Sequence, residues 1–319
     1  MKIYFFSLCI GLISFGNLYA QDKAGSSFQV VALGIKGGLD ESNLSSYLVA
    51  PLGSTNFICA DAGTIRHGLD IAINNKVFKK SADEVLKNDI KGYLISHPHL
   101  DHVAGLLMNS PEDSAKNIYA LPSVIEVLRD KYFTWKAWAN FTNEGELPHP
   151  NKYSHVYLKE KSKQRLAGTE MEVTPFILSH GPSYQSTAFL LHHNDASLLY
   201  LGDTGADNME KSTRLTQLWQ QIAPLISNHQ LKAIFIEVSF PDEQPDQQLF
   251  GHLTPKLLMN ELEELYHLTN LEALQQLPIV ITHMKAFNAE EKILKNELKK
   301  RNQLGLKLVF PEQGKKMKF

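Results

Sequence analysis

Between Ser96 and Gly105 the chain reads His97-Pro98-His99-Leu100-Asp101-His102-Val103-Ala104-Gly105, three imidazoles and a carboxylate in six positions, directly after the apolar run Gly92–Ser96. Neutral imidazole and carboxylate are donors that zinc and other borderline divalent ions accept, and ligands at i, i+2, i+4 and i+5 on a tight strand-to-helix turn can face two adjacent ions. The plain alternative is a His-rich turn satisfied by hydrogen bonds; the rarity of the pattern by chance argues against it. Further candidate ligands stand at the ends of other apolar runs. His180 follows Val173–Ser179, Asp203 follows Ser197–Gly202, and His283 follows Pro278–Thr282. Strand ends are where layered α/β folds assemble sites, because the strands hold loop-borne side chains in register.

Positioning such a set needs many strands. Apolar runs at 28–35, 45–50, 56–60, 91–96, 117–121, 153–158, 170–178, 186–193, 197–202, 232–240 and 278–282 predict strands. Helical patterning is present near 65–78, 82–88, 102–108, 122–140, 208–226, 254–276 and 288–302. The interspersion predicts an α/β fold with two sheets covered by helices. Residues 21–319 are expected to form one catalytic domain, with no repeat or low-complexity linker.

The first 20 residues stand apart: Lys2, an apolar run from Ile3 to Gly16, then Asn17-Leu18-Tyr19-Ala20 before the polar Gln21. This predicts a secretory signal peptide with cleavage after Ala20, a secreted or periplasmic protein, and no stable membrane association once the leader is removed. Without the leader Cys59 is the sole cysteine, expected to be a buried strand residue rather than a catalytic thiol. A formal net charge of −2 offers no global field for nucleic acid, and the lysines from Lys292 to Lys300 and at Lys315, Lys316 and Lys318 read as a solvated helix face and tail.

The sequence resembles the metallo-β-lactamase superfamily, and more closely the class II cyclic-nucleotide phosphodiesterases. The likeness is carried by the His97–Leu106 motif, by Leu33–Gly38 with Ser45–Val49, and by Asp61–Thr64. It continues through Trp135–Phe141, Ser179–Gly181, Gly202–Gly205, Glu237–Phe240, Gly251–Pro255 and Thr282–Lys285, and so spans nearly all of residues 21–319. The resemblance implies a metallo-β-lactamase-like αββα sandwich, two mixed β-sheets covered by helices. By the family pattern His97, His99 and His180 bind one ion, Asp101, His102 and His283 bind the other, and Asp203 bridges them. It implies two divalent ions, with zinc first and manganese, iron or cobalt compatible, and hydrolysis of cyclic AMP or cyclic GMP to the 5′-monophosphate. It also places Asp61 beneath the site, supporting a metal-binding His.

A phosphodiester demands that its oxygens be neutralised, that hydroxide form near neutral pH, and that the leaving alkoxide be protonated. Two ions serve the first two needs, with Asp101 also orienting the hydroxide; the third needs a donor outside the metal shell. His252 is the candidate, with Glu237 as its orienting partner. Glu237 ends the apolar run Lys232–Ile236, where an unpaired carboxylate would be costly, and pairing with it is expected to raise the imidazole pKa. Thr204 and Thr254 read as turn chemistry. Trp135, Trp138 and Phe141 could stack on a purine, but their helical spacing points to core packing. Two other readings use the same residues. One is another superfamily hydrolase, arylsulfatase-like or lactone-cleaving; the other is a nucleotide-binding protein without turnover. Oligomeric state is open, with a dimer compatible.

Overall fold

The computed structural model describes Met1 and residues 27–182 and 184–319; the leader expected over residues 1–20 lies, beyond Met1, outside them. One sheet runs β1 (Phe28–Gly34), β2 (Ser46–Pro51), β3 (Phe57–Ala60), β4 (Ile90–Leu94), β5 (Lys116–Ala120) and β6 (Tyr153–Tyr157). The second contains β7 (Gln164–Arg165), β8 (Glu172–Ser179), β9 (Gln185–His193), β10 (Ala196–Leu201), β11 (Leu231–Glu237), β12 (Pro278–Thr282) and β13 (Lys307–Val309) in reverse spatial order. A last strand, β14 (Lys316–Lys318), returns to the first sheet and pairs with β1. Both sheets are mixed: β1 to β3 are antiparallel and β3 to β6 parallel, while β7 to β10 are antiparallel and β10 to β13 parallel. This is the architecture expected.

The unbroken apolar runs follow from burial on both strand faces. Along β11, Ala233 and Phe235 point between the sheets, whereas Ile234 and Ile236 face the helical layer. The same alternation separates Leu198 and Tyr200 from Leu199 and Leu201 in β10, and Val280 from Ile279 and Ile281 in β12. The helices are α1 (Arg66–Asn74), α2 (Ala82–Glu84), α3 (Leu100–Asn109), α4 (Pro122–Val127), α5 (Asp207–Glu210), α6 (Arg214–Ser227), α7 (Pro255–His267), α8 (Leu271–Gln276) and α9 (Ala289–Arg301). Leu69, Val103, Leu106 and Val124 cover the first sheet; Leu218, Trp219, Leu258, Leu262, Leu294 and Leu298 cover the second. No helix of the described residues is long and apolar enough to cross a membrane.

The helix expected near 65–78 stops at Asn74, and three others are shorter or divided. The one predicted over 122–140 ends in a wide turn at Leu128–Tyr132, and Trp135 has φ of 60°. Trp135 and Trp138 are 42 % and 37 % exposed, with their indole N–H groups donating to the Glu146 carbonyl and Ser110 Oγ. They are therefore not core residues; the polar edge of Trp135 is held by the loop at Glu146 and that of Trp138 by Ser110 at the end of α3, which leaves each indole partly in solvent. The stretch 208–226 breaks at Lys211, which is left-handed, and 254–276 breaks before Asn270, whose side chain accepts from the N–H groups of Glu272 and Ala273 and caps α8. Cys59 is buried in β3, and burial pushes its thiol up to about 12, so it is an inert strand residue.

Candidate metal centre

The candidate ligands converge at the carboxyl ends of strands from both sheets. His97, His99, Asp101 and His102 ride the turn from β4 into α3, His180 follows β8, Asp203 follows β10, and His283 follows β12. Two donor groups result: His97, His99, His180 and Asp203, and Asp101, His102, Asp203 and His283. Asp203 belongs to both. Its Oδ2 lies 3.6 Å from His97 Nε2, 3.8 Å from His180 Nε2 and 3.3 Å from His283 Nε2, while its Oδ1 lies 3.3 Å from His102 Nε2. His97 Nε2 and His99 Nδ1 are 3.0 Å apart, and His283 Nε2 lies 3.1 Å from both His102 Nε2 and Asp101 Oδ2.

These spacings fit cations. Two donors at about 2.0–2.1 Å from one zinc ion in tetrahedral geometry are roughly 3.3 Å apart. The tautomers of four of the imidazoles are fixed to match, because the nitrogens of His97, His102, His180 and His283 that face away from the cluster are hydrogen-bonded. His102 Nδ1–H donates to Asp61 Oδ2 at 2.8 Å, and His180 Nδ1–H to the Gly251 carbonyl at 2.8 Å. His97 Nδ1 lies 3.0 Å from Ser96 Oγ, which donates to Asp61 Oδ2 at 2.8 Å. His283 Nδ1 lies 3.0 Å from Ser239 Oγ, which donates to Glu237 Oε2 at 2.5 Å. Each carboxylate thus holds a serine, and each serine holds a ligand His. Asp61 also accepts from the Tyr200 hydroxyl and the Ser96 N–H, and so steadies one His of each donor group. Asp61 was expected from the resemblance; Ser96, Ser239 and Tyr200 were not singled out, since nothing in their local sequence separates them from ordinary strand-end residues.

Electrostatics divide the rings. Burial lowers His97 well below the usual imidazole range and His99 to about 4, and it lowers His180 as well. These rings are neutral at pH 7, the form a cation binds. Burial also opposes charge on His102, but Asp203, Asp61 and Asp101 outweigh it and hold that ring protonated well above the usual range. Burial would raise Asp101 and Asp203, yet neighbouring His102 and His283 keep both carboxyls well below theirs. Tyr184 stacks on His99 at 4.8 Å between centroids and 6° between planes, steadying the most exposed of the ligands.

His252 and Glu237 also meet, at 2.7 Å from Nδ1 to Oε1. Glu237, His252 and His283 form a third convergent trio, but Glu237 is already an acceptor from the Thr204 N–H, Ser239 and His252. It is raised by burial first and by Asp203 second. The expected elevation of His252 is not found: burial lowers it to about 4, and the Lys285 ammonium, 2.8 Å from its Nε2, adds to the burial effect against the opposing pull of Asp203. Desolvation of the ring exceeds the attraction of one carboxylate. The Thr204 hydroxyl donates to the Ser179 and Gly205 carbonyls and Thr254 caps α7, as turn chemistry requires.

Residues 28–314 match the family of class-II cAMP phosphodiesterases. A 3′,5′-cyclic-nucleotide phosphodiesterase of Aliivibrio fischeri is 40 % identical over 98 % of this chain and 97 % of its own length. A probable 3′,5′-cyclic-nucleotide phosphodiesterase of Yersinia pestis is 36 % identical over 92 % of this chain and 90 % of its own. The fold is similar to that of unliganded yeast PDE1, with a TM-score of 0.81 at 24 % identity over 92 % of this chain and all of the other. It is also similar to that of the metallo-β-lactamase fold protein YhfI from Bacillus subtilis, with a TM-score of 0.62 at 15 % identity over 92 % of this chain and all of the other.

Proposed function

Because the chain belongs to the class-II cyclic AMP phosphodiesterase family, we propose that it hydrolyses 3′,5′-cyclic AMP and cyclic GMP to the nucleoside 5′-monophosphates. The observation that carries this reading is the pair of donor groups sharing Asp203, with His252 at their edge. His97, His99, His180 and Asp203 would hold one divalent ion, and Asp101, His102, His283 and Asp203 a second. Zinc suits this donor set best, with manganese, iron or cobalt compatible. Such ions would neutralise a phosphoryl oxygen and make a water acidic enough to attack phosphorus near neutral pH.

The chain's own residues do the rest. Asp101 accepts from the Gly38 N–H at 2.8 Å, which fixes its carboxylate where it can also orient the attacking water. Glu237 accepts from His252 Nδ1–H and turns Nε2 toward the substrate side, and Ser239 and the Thr204 N–H keep Glu237 itself from rotating. His252 would pass a proton from Nε2 to the departing 3′ oxygen. The anionic phosphodiester favours the imidazolium there, opposing the burial that lowers it.

The expected leader supports activity outside the cytoplasm, in the periplasm or the medium. One experiment tests substrate and place together: assay purified protein and culture fractions with cyclic AMP and cyclic GMP, with and without added zinc or manganese, beside His252→Ala. Metal-dependent release of 5′-monophosphate, found in the exported fraction and falling about 10²–10⁴-fold in turnover in the variant, is expected. Intact nucleotides alongside cleavage of an aryl sulfate or lactone would transfer the site to another hydrolase class. Activity confined to the cytoplasm would overturn the placement alone.

A further inference from the structure

Lys285 lies half-buried beside the site, two residues beyond His283. Its backbone N–H donates to the Ser239 carbonyl at 3.0 Å, tying it to the residue that holds His283 and Glu237. Its methylene stem packs over Gly38, where an added Cβ would lie 3.6–3.8 Å from the stem carbons, and its ammonium stands 5.7 Å from the centroid of the Phe240 ring. One N–H reaches His252 Nε2 at 2.8 Å. Among the described residues no carboxylate lies within ion-pair distance of this ammonium, and no second acceptor takes its remaining N–H groups. Lys36, close in sequence to Gly38, shows the contrast: it is paired with Glu291 and also donates to the Ala286 carbonyl.

A cation held rigidly, partly desolvated and left without a counter-charge is arranged for an anion that arrives from outside. Its contact with His252 is at Nε2, the ring nitrogen opposite the one that lies 2.7 Å from Glu237 and 3.8 Å from Asp203. We propose that Lys285 is a catalytic residue that contacts the leaving 3′ oxygen and stabilises the charge developing there. This rests on the phosphodiesterase reading above. As water-derived hydroxide attacks phosphorus, the P–O3′ bond breaks and its electron pair moves to O3′. The Lys285 N–H turns from Nε2 of His252 to O3′ and offers that oxygen a fixed positive charge in a low-dielectric setting, and His252, protonated at Nε2 in the substrate complex, gives O3′ the proton that completes the alcohol.

The test exploits leaving-group chemistry. The full chain, Lys285→Met and Lys285→Arg are assayed on cyclic AMP, whose leaving group is an alkoxide, and on bis(4-nitrophenyl) phosphate, whose phenolate departs without assistance. Metal content and thermal midpoint are measured on the same preparations. Lys285→Met should lose about 10²–10³-fold in kcat on cyclic AMP but less than about tenfold on the aryl ester, with metal content unchanged and partial recovery in Lys285→Arg. Equal losses on both substrates, no loss on either, or losses that track missing metal would overturn the assignment. A wild type that cleaves neither cyclic nucleotide would fail the underlying reading and Lys285 with it. An active wild type matched by Lys285→Met fails Lys285 alone.

Discussion

His102 is the residue where the competition between proton and metal is sharpest. Its Nε2 must offer a lone pair to bind an ion, yet Asp203, Asp61 and Asp101 hold the ring protonated well above the ordinary imidazole range. His97, His99 and His180 are lowered and are already neutral at pH 7. Metal uptake at pH 7–8 should therefore release the His102 proton, in addition to any from the water the ions acidify, and apparent affinity should rise with pH across this range until the ring deprotonates unaided. Calorimetric titration in buffers of different ionisation heat measures the number; a heat independent of buffer would contradict the assignment. The convergence of the candidate ligands was legible because type and spacing carry it: His97, His99, Asp101 and His102 are adjacent in sequence, and His180, Asp203 and His283 end apolar runs. The sign of the His252 shift was not legible, since Glu237 announces itself at the end of a strand but the burial of the ring and the approach of Lys285 exist only after folding.

At the scale of elements, the site depends on loops forced against one another. Gly251 has φ of 77°, and a Cβ there would stand 2.2 Å from the Gly181 nitrogen and 2.5 Å from the His180 carbonyl carbon. Its own carbonyl is the acceptor that fixes His180. Gly251→Ala should thus combine backbone strain with overlap, each costing about 1–3 kcal/mol, and should also turn the His180 ring. Gly53→Ala is the control, because Gly53 has φ of 87° but nothing within 4 Å of the added carbon. Both should lower the thermal midpoint, and only Gly251→Ala should lose metal and most of its activity; equal metal content in the two would sink this account of the loop. The central strands were readable as apolar runs because both their faces are buried. The helix expected over 122–140 was not, since Trp135 and Trp138 mimic a helical stripe while their indoles answer to Glu146 and Ser110 on other segments. Strands β7, β13 and β14 are two or three residues long and partly exposed, which leaves too little pattern for any period to register.

At the scale of the whole molecule, the C-terminal segment joins the two sheets. After β13 closes the edge of the second sheet, β14 pairs with β1 at the edge of the first, through residues whose lysines read in sequence as a solvated tail. Gly314 N–H donates to the Ala32 carbonyl, the Gln313 amide reaches the Leu33 and Ser42 carbonyls, and the Phe319 carbonyl accepts from the N–H groups of Ser27 and Phe28. The Phe319 ring lies 5.6 Å from that of Phe235 in β11, so one residue touches both sheets. The strand steadied in this way runs directly into the loop that serves the site: the His283 N–H donates to the Ile35 carbonyl, and the Gly38 N–H fixes Asp101. Deleting residues 311–319 uncovers the β1 edge and removes the contact of the partly buried Phe319 with Phe235, where a fully buried apolar side chain would be worth about 1.5–3 kcal/mol and each lost hydrogen bond about 1 kcal/mol. The expected result is a thermal midpoint lower by at least about 5 °C. Loss of metal should fall first on the group containing Asp101 and His283, because both of these residues are braced by hydrogen bonds with the segment after β1, whereas His97 and His180 are braced by Ser96 and the Gly251 carbonyl. Metal counting on the truncated protein reads the order directly: retention of one ion while the other is lost fits this coupling, and retention of both with full activity would show that the C-terminal strand closes an edge without supporting the site.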